Sequence, residues 1–310
     1  MKLTRLIFLC SAFIFFSCSD DDDDDGVSLR DEAEVYQEDQ AEILNYLQNH
    51  YYVVVPNAGN ANYDRIEFRD ITEDTPDDVV PIIDSEFLKS KTVTQNEINY
   101  TLYYLQVDEG APTEYQPTFA DEVVLTYRGE LFDQTLFDQA INPIKFDFPS
   151  DGIIKGLVQS LMEFRGASSV TENNDGTLSY SEDYGLGAVF IPSGLAYFAE
   201  PPSLTQIAPY EPIIFSFQLY KGILADHDGD GIPSYYEDLN GDQVLTSEDN
   251  SNREDVLDFR DPDDDGDGTP TSEEIEVNDA NGDGIITVDE ITFLDYNNDG
   301  TPDYLDPEVN

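Results

Sequence analysis

The residues best suited to chemistry are carboxylates that recur at fixed spacing near the carboxyl end of the 310-residue chain. In residues 226–237, oxygen-bearing side chains occupy positions 1, 3, 5, 9 and 12 of a twelve-residue loop, and Gly231 occupies position 6. Ca²⁺ takes oxygen ligands in this pattern, the glycine permits a sharp turn, and a closing glutamate supplies two oxygens. The pattern predicts Ca²⁺ ligands at Asp226, Asp228, Asp230, Ser234 and Glu237.

The same pattern recurs along the rest of the chain. Three further copies keep glycine at position 6 and an acceptor at position 12, whereas a weaker copy at 238–249 has Gln243 at position 6. The alternative is an acidic, solvated tail, but such a tail has no reason to keep this register. We therefore expect about four or five structural Ca²⁺ ions. The further predicted ligands are Asp238, Asn240, Asp242, Thr246 and Asp249; Asp263, Asp265, Asp267, Thr271 and Glu274; Asp279, Asn281, Asp283, Thr287 and Glu290; and Asp295, Asn297, Asp299, Asp303 and Asp306.

The copies stand too close together for EF-hands, which need a helix on each side of the loop. Glu237 ends one loop and Asp238 begins the next. The stretches Asp-Gly-Asp-Gly-Ile-Pro at 228–233 and Asn-Asp-Gly-Thr-Pro-Asp at 298–303 resemble thrombospondin type 3 repeats. The resemblance implies that residues 222–310 form an irregular region, with little apolar core, that winds around a row of Ca²⁺ ions.

Composition excludes several classes of function. The formal net charge of −53 repels nucleic acid and anionic membrane surfaces, since both are bound through Lys and Arg. The only cysteines, Cys10 and Cys18, lie near the amino end, which excludes a disulfide framework and a thiol active site. With only His50 and His227, a histidine-based triad or zinc site lacks material. We expect no catalytic cofactor.

The amino end predicts export and a lipid anchor. Lys2 and Arg5 precede a short apolar run at 6–16, which is typical of a signal peptide over 1–17. Ser17 before Cys18 resembles the lipobox of bacterial lipoproteins, and the resemblance implies an acylated Cys18 that anchors the chain to a membrane. Residues 18–27 would form an acidic tether. Its aspartate run at 20–25 resembles the address of lipoproteins that reach the outer leaflet of the outer membrane. The alternative for the aspartate run is a solvated spacer, and the alternative for the lipobox is an ordinary signal peptide that happens to contain a cysteine.

The elements that must position any chemistry lie between these two ends. Helical periodicity covers 28–50, and residues 51–93 look irregular, so we assign 28–97 to an appended helical and extended segment without visible chemistry. Alternating β-branched and aromatic residues then predict five strands, interrupted by one helix at 153–164. The expected fold of residues 98–221 is α+β, with an antiparallel sheet wrapped on one short helix.

This middle region resembles the FKBP-type peptidyl-prolyl cis-trans isomerases. The phrases that carry the resemblance begin at Val124, Leu136, Ile153, Ile191 and Ile213 and come in the family's order. It implies that the backbone N–H of Ile154 and the hydroxyl of Tyr197 hold the substrate's carbonyls, and that Asp138 lies near the rotating carbonyl. The implied proline pocket is lined by Tyr127, Phe137, Ile153, Ile154, Leu157, Tyr197 and Phe215.

Three departures from the family pattern bear on rate and inhibitor binding. Leu157 stands where many members have tryptophan, Phe198 stands where glycine is usual, and residues 168–185 are an insertion.

Two interpretations of the function remain. The first is an anchored prolyl isomerase acting on exported, proline-containing polypeptides. The second is a non-catalytic surface binding or adhesion module that recognises proline-containing segments and carries a Ca²⁺-stabilised stalk.

Overall fold

The computed structural model describes residues 29–56, 64–174, 176–253 and 255–309. The predicted signal peptide, Cys18 and the aspartate run lie outside these residues. No helix in the described ranges is both long and apolar enough to cross a membrane. The helices and strands are α1 (Glu32–Asn49), β1 (His50–Val55), β2 (Arg65–Asp70), β3 (Leu88–Gln95), β4 (Ile98–Asp108), β5 (Glu122–Leu131), β6 (Leu136–Asp147), α2 (Lys155–Leu161), β7 (Val170–Glu172), β8 (Leu178–Tyr180), β9 (Gly185–Ile191), β10 (Ile213–Ile223), β11 (Ile275–Val277) and β12 (Ile291–Phe293).

A six-stranded sheet organises the middle of the chain. Its strand order is β3-β4-β9-β10-β5-β6, and every neighbouring pair is antiparallel. Helix α2 packs on one face, where Leu157 and Leu161 join the core formed by residues such as Phe217. The predicted α+β class is confirmed.

Helix α2 is shorter than the predicted 153–164. Ile154 keeps extended backbone angles (φ −58°, ψ 138°) and precedes the first helical residue, in line with the lower helix propensity of β-branched residues. The helix lies very close to β9, because a Cβ placed on Gly156 would stand 2.4 Å from a side-chain carbon of Ile191. Glycine at this position therefore sets how closely helix and sheet approach.

The opposite face of the sheet is also covered. Helix α1, the β1–β2 hairpin and the β7–β8 hairpin of the 168–185 insertion lie over a second apolar cluster that includes Phe190 and Tyr220. Tyr180 of β8 stacks on Tyr220 with ring centroids 4.6 Å apart. Strand β9 is consequently buried along its whole length, which explains why its sequence does not alternate between apolar and polar residues.

Residues 51–95 contain more strand than the sequence predicts. β1 and β2 pair as a hairpin, and β3 is an edge strand of the main sheet although it precedes the predicted boundary at residue 98. Strand β3 has the sequence LKSKTVTQ, in which only Val93 is fully buried. Because an edge strand exposes much of its surface, its polar residues give little periodic signal.

The carboxyl-terminal repeats contain little regular structure. Short 3₁₀ turns and the two-stranded β11–β12 pair are separated by loops. A small apolar cluster contains Ile232, Ile275, Ile291 and Tyr304. In the described residues the repeats therefore consist mainly of turns and loops around this small cluster.

One buried carboxylate joins α1 to the sheet region. Asp39 is 3% exposed, and its Oδ2 accepts hydrogen bonds from the backbone N–H and the hydroxyl of Ser193, both at 2.7 Å. Ser193 begins the short turn that leads to Tyr197. The appended segment therefore takes part in positioning that turn.

We expect Asp39→Ala to lower the free energy of unfolding by about 2 kcal/mol, because two buried donors of Ser193 lose their acceptor. Urea denaturation at neutral pH measures the change. Asp74→Ala removes the same group from an exposed loop and should change the free energy by less than about 0.5 kcal/mol. Equal losses in both variants would contradict the role of Asp39.

Candidate functional site

The predicted pocket residues come together where β5, β6 and β10 lie side by side. The ring of Phe215 on β10 stands 5.7 Å from the ring of Tyr127 on β5 and 5.4 Å from the ring of Phe137 on β6, measured between centroids. Phe215 and Leu157 are buried in the core. The remaining apolar members are half-buried and pack against that same core; they are Tyr127, Phe137, Ile153, Ile154 and Tyr197.

A close approach of backbone and rings shapes this group. Gly129 lies directly opposite Phe215 in the β5–β10 pairing and opposite Asp138 in the β5–β6 pairing. A Cβ on Gly129 would lie 2.6 Å from the ring of Phe137 and 2.9 Å from the ring of Phe215. Any larger residue at position 129 would collide with both rings. Glycine therefore allows the rings of Phe137 and Phe215 to pack against the backbone of β5.

The polar edge of the group is formed by Asp138. The Tyr127 hydroxyl donates to its Oδ2 at 2.7 Å, and the backbone N–H of Gln139 donates to its Oδ1 at 2.8 Å. Burial, and then the hydrogen bond to Asp138, raise the pKa of Tyr127 above its usual range. Burial and the charge of Asp138 also raise the pKa of Tyr197. Both hydroxyls therefore stay protonated at neutral pH, where that of Tyr127 donates to Asp138 and that of Tyr197 can donate to a ligand.

The start of α2 supplies a backbone donor beside these rings. The Ile154 carbonyl accepts from the N–H groups of Leu157 and Val158, at 3.0 and 3.2 Å. The Ile154 N–H has no hydrogen-bond acceptor among the described residues. An apolar group of side chains with hydrogen-bond donors at its edge has the chemistry to bind a small ring such as proline and to hold the carbonyls on either side of it.

The acidic loops share one backbone geometry, including the weak copy. In each loop the position-1 aspartate accepts from the N–H of position 6, and in the first loop Asp226 accepts from Gly229 at 2.8 Å and Gly231 at 3.1 Å. Positions 4 and 6 have left-handed angles in all five loops. Gln243 (φ 63°) adopts them in the weak copy, as does Asn298 (φ 59°) in the last. All five predicted loops are therefore present as similar turns.

Position 9 serves the loop backbone in three of the five loops. The hydroxyl of Ser234 accepts from the N–H of His227, that of Thr271 accepts from the N–H of Asp264, and the carboxylate of Asp303 accepts from the N–H of Tyr296. In the other two loops, Thr246 and Thr287 donate to the position-12 carboxylates of Asp249 and Glu290.

Residues 250–261 form a sixth loop of similar geometry that the sequence pattern does not predict. It lacks glycine, but Arg253 takes left-handed angles at position 4 (φ 61°), and the Ser251 N–H donates to Asp258 at position 9. Asn252 at position 3 donates to Asp261 at position 12, as Asn297 does to Asp306 in the last loop. The spacing of the loops could have predicted it, since the loops at 226, 238 and 250 begin twelve residues apart.

Crowded carboxylates distinguish the first and third of the predicted loops. Oxygens of Asp226, Asp228 and Asp230 lie within 4.8 Å of one another, as do those of Asp263, Asp265 and Asp267. Burial, followed by neighbouring carboxylates, raises the pKa of Glu237 to about 11 and that of Glu274 to about 7. Among the described residues, buried carboxylate oxygens without hydrogen-bond partners belong to Asp228, Asp230, Glu237, Asp264, Asp265, Asp267, Glu274 and Asp295.

These oxygens fit a hard divalent cation. Buried carboxylates without partners are strongly unfavourable, and an ion that takes only oxygen ligands would compensate them. The available donor atoms are carboxylate oxygens, with no histidine or cysteine in the clustered groups. When bound, such an ion would supply charge neutralisation and cross-linking between segments.

The repeats contact the sheet domain beside the aromatic group. His227 Nε2 lies 3.1 Å from Asp147 Oδ1, and the Arg260 guanidinium donates to the Ser150 hydroxyl at 2.6 Å. The Gln159 side chain on α2 donates to that of Gln243 at 2.7 Å. A cavity of about 310 Å³ lies in this contact, between Ile153 and Val158 on one side and Val244 and Leu245 on the other. The repeats thus border the turn that leads into the predicted pocket.

Comparisons with known proteins give partial matches. A family model described as the BamM C-terminal region matches residues 227–279, and no curated protein matches the chain. A peptidyl-prolyl cis-trans isomerase from Pseudomonas syringae pv. tomato is 24% identical, with 39% of this chain and 74% of that chain covered and a TM-score of 0.31. Escherichia coli FkpA is 23% identical (45% and 53% covered, TM-score 0.32). The three FKBP domains of wheat FKBP73 are 16% identical (43% and 51% covered, TM-score 0.32).

The chain spans about half the length of the Escherichia coli and wheat proteins that it matches. At identities below 25% and TM-scores near 0.3, these similarities do not bear on catalysis. Any assignment of activity, substrate or partners must therefore rest on the residues of the aromatic group and of the acidic loops.

Proposed function

We propose that the chain is a peptidyl-prolyl cis-trans isomerase that acts on exported polypeptides. The observation that carries the proposal is the group of three packed rings, Tyr127, Phe137 and Phe215, with the hydrogen-bonded Asp138 at its edge. In this proposal a proline ring packs against these aromatic side chains, and the carboxylate lies next to the bond that must rotate. The reaction needs no nucleophile, because no covalent bond is made or broken.

The barrier to rotation is about 18–20 kcal/mol, since the resonance of the amide must be broken. Resonance places partial negative charge on the carbonyl oxygen. The apolar walls remove water that would stabilise this charge, and the carboxylate of Asp138 disfavours it further. The Tyr197 hydroxyl and the Ile154 N–H hold neighbouring carbonyls of the substrate, so that the proline side of the bond turns against a fixed frame.

The acidic loops support a second part of the proposal, about four or five structural Ca²⁺ ions. The buried, unpartnered oxygens carry it, because they need a cation and offer only oxygen ligands. The ligands are those predicted at positions 1, 3, 5 and 12, with position 9 assisting the backbone in several loops. A chain of this design keeps its repeats folded where Ca²⁺ is abundant, as it is outside cells.

The third part of the proposal concerns location. The signal-peptide pattern, Cys18 and the aspartate run at 20–25 support an outer-membrane lipoprotein exposed on the cell surface. An acylated Cys18 would hold the isomerase-like domain close to polypeptides that emerge from the membrane. A non-catalytic binding module would use the same anchor and the same pocket, and only turnover distinguishes the two.

We expect Asp138→Asn and Tyr197→Phe each to lower kcat/KM by about tenfold, because each removes one interaction made with the rotating bond or its neighbours. A protease-coupled assay with an Ala-Leu-Pro-Phe-type peptide measures the rate. Tyr103→Phe is the matched control, since Tyr103 belongs to the cluster on the other sheet face. Phe215→Ala is a poorer test, because truncating a buried phenylalanine costs about 3–5 kcal/mol of stability.

Wild-type rates in both pocket variants would contradict the assignment of the pocket. A folded wild-type chain that binds proline peptides without accelerating their isomerisation would identify the non-catalytic binding module instead.

We expect removal of Ca²⁺ by a chelator to open the repeats, because the carboxylates then repel one another with little apolar core to oppose them. Hydrogen exchange should rise across 226–309, while the sheet of the isomerase-like domain stays protected. Combining Glu237→Gln, Glu274→Gln and Glu290→Gln should remove most of the calcium heat measured by calorimetry. Identical exchange with and without chelator would count against structural Ca²⁺.

We expect Cys18→Ser to abolish labelling by a radioactive fatty acid and to release the chain from the membrane fraction or leave an unprocessed precursor. Cys10→Ser is the matched control and should change neither property, because Cys10 lies within the apolar run of the signal peptide. Retained labelling of the Cys18→Ser chain would refute the anchor. Shortening the aspartate run should leave the lipid in place and reduce cleavage by protease added to intact cells.

A further inference from the structure

Asp264 differs from its neighbours in the third predicted loop. Asp263, Asp265 and Asp267 stand at positions 1, 3 and 5 and face one another, whereas Asp264 stands at position 2, where the repeat pattern asks for no ligand. It is nevertheless only 1% exposed. Its N–H donates to the Thr271 hydroxyl, but both of its carboxylate oxygens are buried without hydrogen-bond partners among the described residues.

The carboxylate of Asp264 faces a different loop. Its oxygen lies within 4.8 Å of oxygens of Asp230 and Glu237, which belong to the loop at 226–237. Those two side chains are each 3% exposed. Both oxygens of Glu237 and the Oδ2 of Asp230 also lack partners in the described part of the chain. Three buried carboxylates from two distant segments thus meet with five uncompensated oxygens.

Neighbouring groups do not neutralise this cluster. The charges of Asp228 and Asp258 also act on this cluster, and Asp228 Oδ2 is likewise without a partner among the described residues. Asp258 is already satisfied, because both of its oxygens accept from Ser251. The Arg260 guanidinium, two residues after Asp258 in the chain, instead donates to Ser150 and lies over the ring of Phe259. The cluster therefore requires a cation from solution.

We infer that Asp264 is a ligand of the divalent cation held by the loop at 226–237, so that one ion joins the first and third predicted loops. Oxygens that bind one Ca²⁺ at 2.3–2.6 Å lie at most about 5 Å apart, which the observed 4.8 Å limit satisfies. Asp228, Asp230, Glu237 and Asp264 together offer about six oxygens, the lower end of the Ca²⁺ range and more than Mg²⁺ usually takes from protein. This inference rests on the proposed binding of Ca²⁺ by the repeats.

Calcium calorimetry on the full chain tests the shared ligand. We expect Asp264→Asn to lose one binding site or to weaken one site at least tenfold. Asp255→Asn is the matched control, since it removes the same charge from an exposed residue of the repeats and should bind as wild type. Circular dichroism establishes that each variant is folded, and Asp264→Ser replaces Asp264→Asn if that variant is not.

Double variants identify which ion is affected. If Asp264 and Glu237 bind the same ion, Asp264→Asn combined with Glu237→Gln should lose one site in total, whereas Asp264→Asn combined with Asp279→Asn should lose two. Unchanged stoichiometry and affinity in Asp264→Asn, or loss of two sites in the pair with Glu237→Gln, would overturn the shared ligand. A wild-type chain that binds no Ca²⁺ would overturn the calcium proposal itself, so the two failures are distinguishable.

Discussion

The two central strands, β9 and β10, have buried side chains on both faces of the sheet, and the rest of the domain is arranged around that constraint. A sheet with one apolar face needs one covering layer, but this sheet needs two. Helix α2 covers the face that carries the aromatic residues Tyr127, Phe137 and Phe215. Helix α1 and two hairpins, β1–β2 and β7–β8, cover the other, which makes these elements parts of the domain core. Their removal would expose Phe190 and Tyr220 to water.

The repeats solve the opposite physical problem. They have few apolar side chains to bury, and their shape comes from backbone N–H groups that donate to carboxylates within each turn. At positions 3 and 5 of the loops at 226–237 and 263–274, such donors satisfy one carboxylate oxygen and leave the other buried without a partner among the described residues. The apolar domain and the acidic repeats are therefore stabilised by different interactions, and they respond to different changes in solution.

Local patterns predicted a large part of this structure. The periodicity of α1, the strong strands and the order of the pocket phrases all rest on buried side chains, which leave a clear signal in sequence. Strand β3 leaves no clear signal in the sequence, because an exposed edge strand tolerates Lys, Ser and Thr. The copy at 250–261 was missed because Arg253 adopts a backbone conformation that sequence patterns assign to glycine. The sequence could not identify Asp264 as a ligand, because the carboxylates near it belong to another loop. A contact between two loops leaves no repeating pattern in the sequence.

The direct succession of loops at 226–237, 238–249 and 250–261 affects how the region can change in length. Surface loops usually accept insertions and deletions, because a few extra residues can bulge into solvent. Here no linker separates the first three turns, and the closing residue of one is followed at once by the opening residue of the next. One added or deleted residue would rotate the following carboxylates away from their places. Among related sequences, we therefore expect many substitutions at exposed positions of this region but few insertions or deletions.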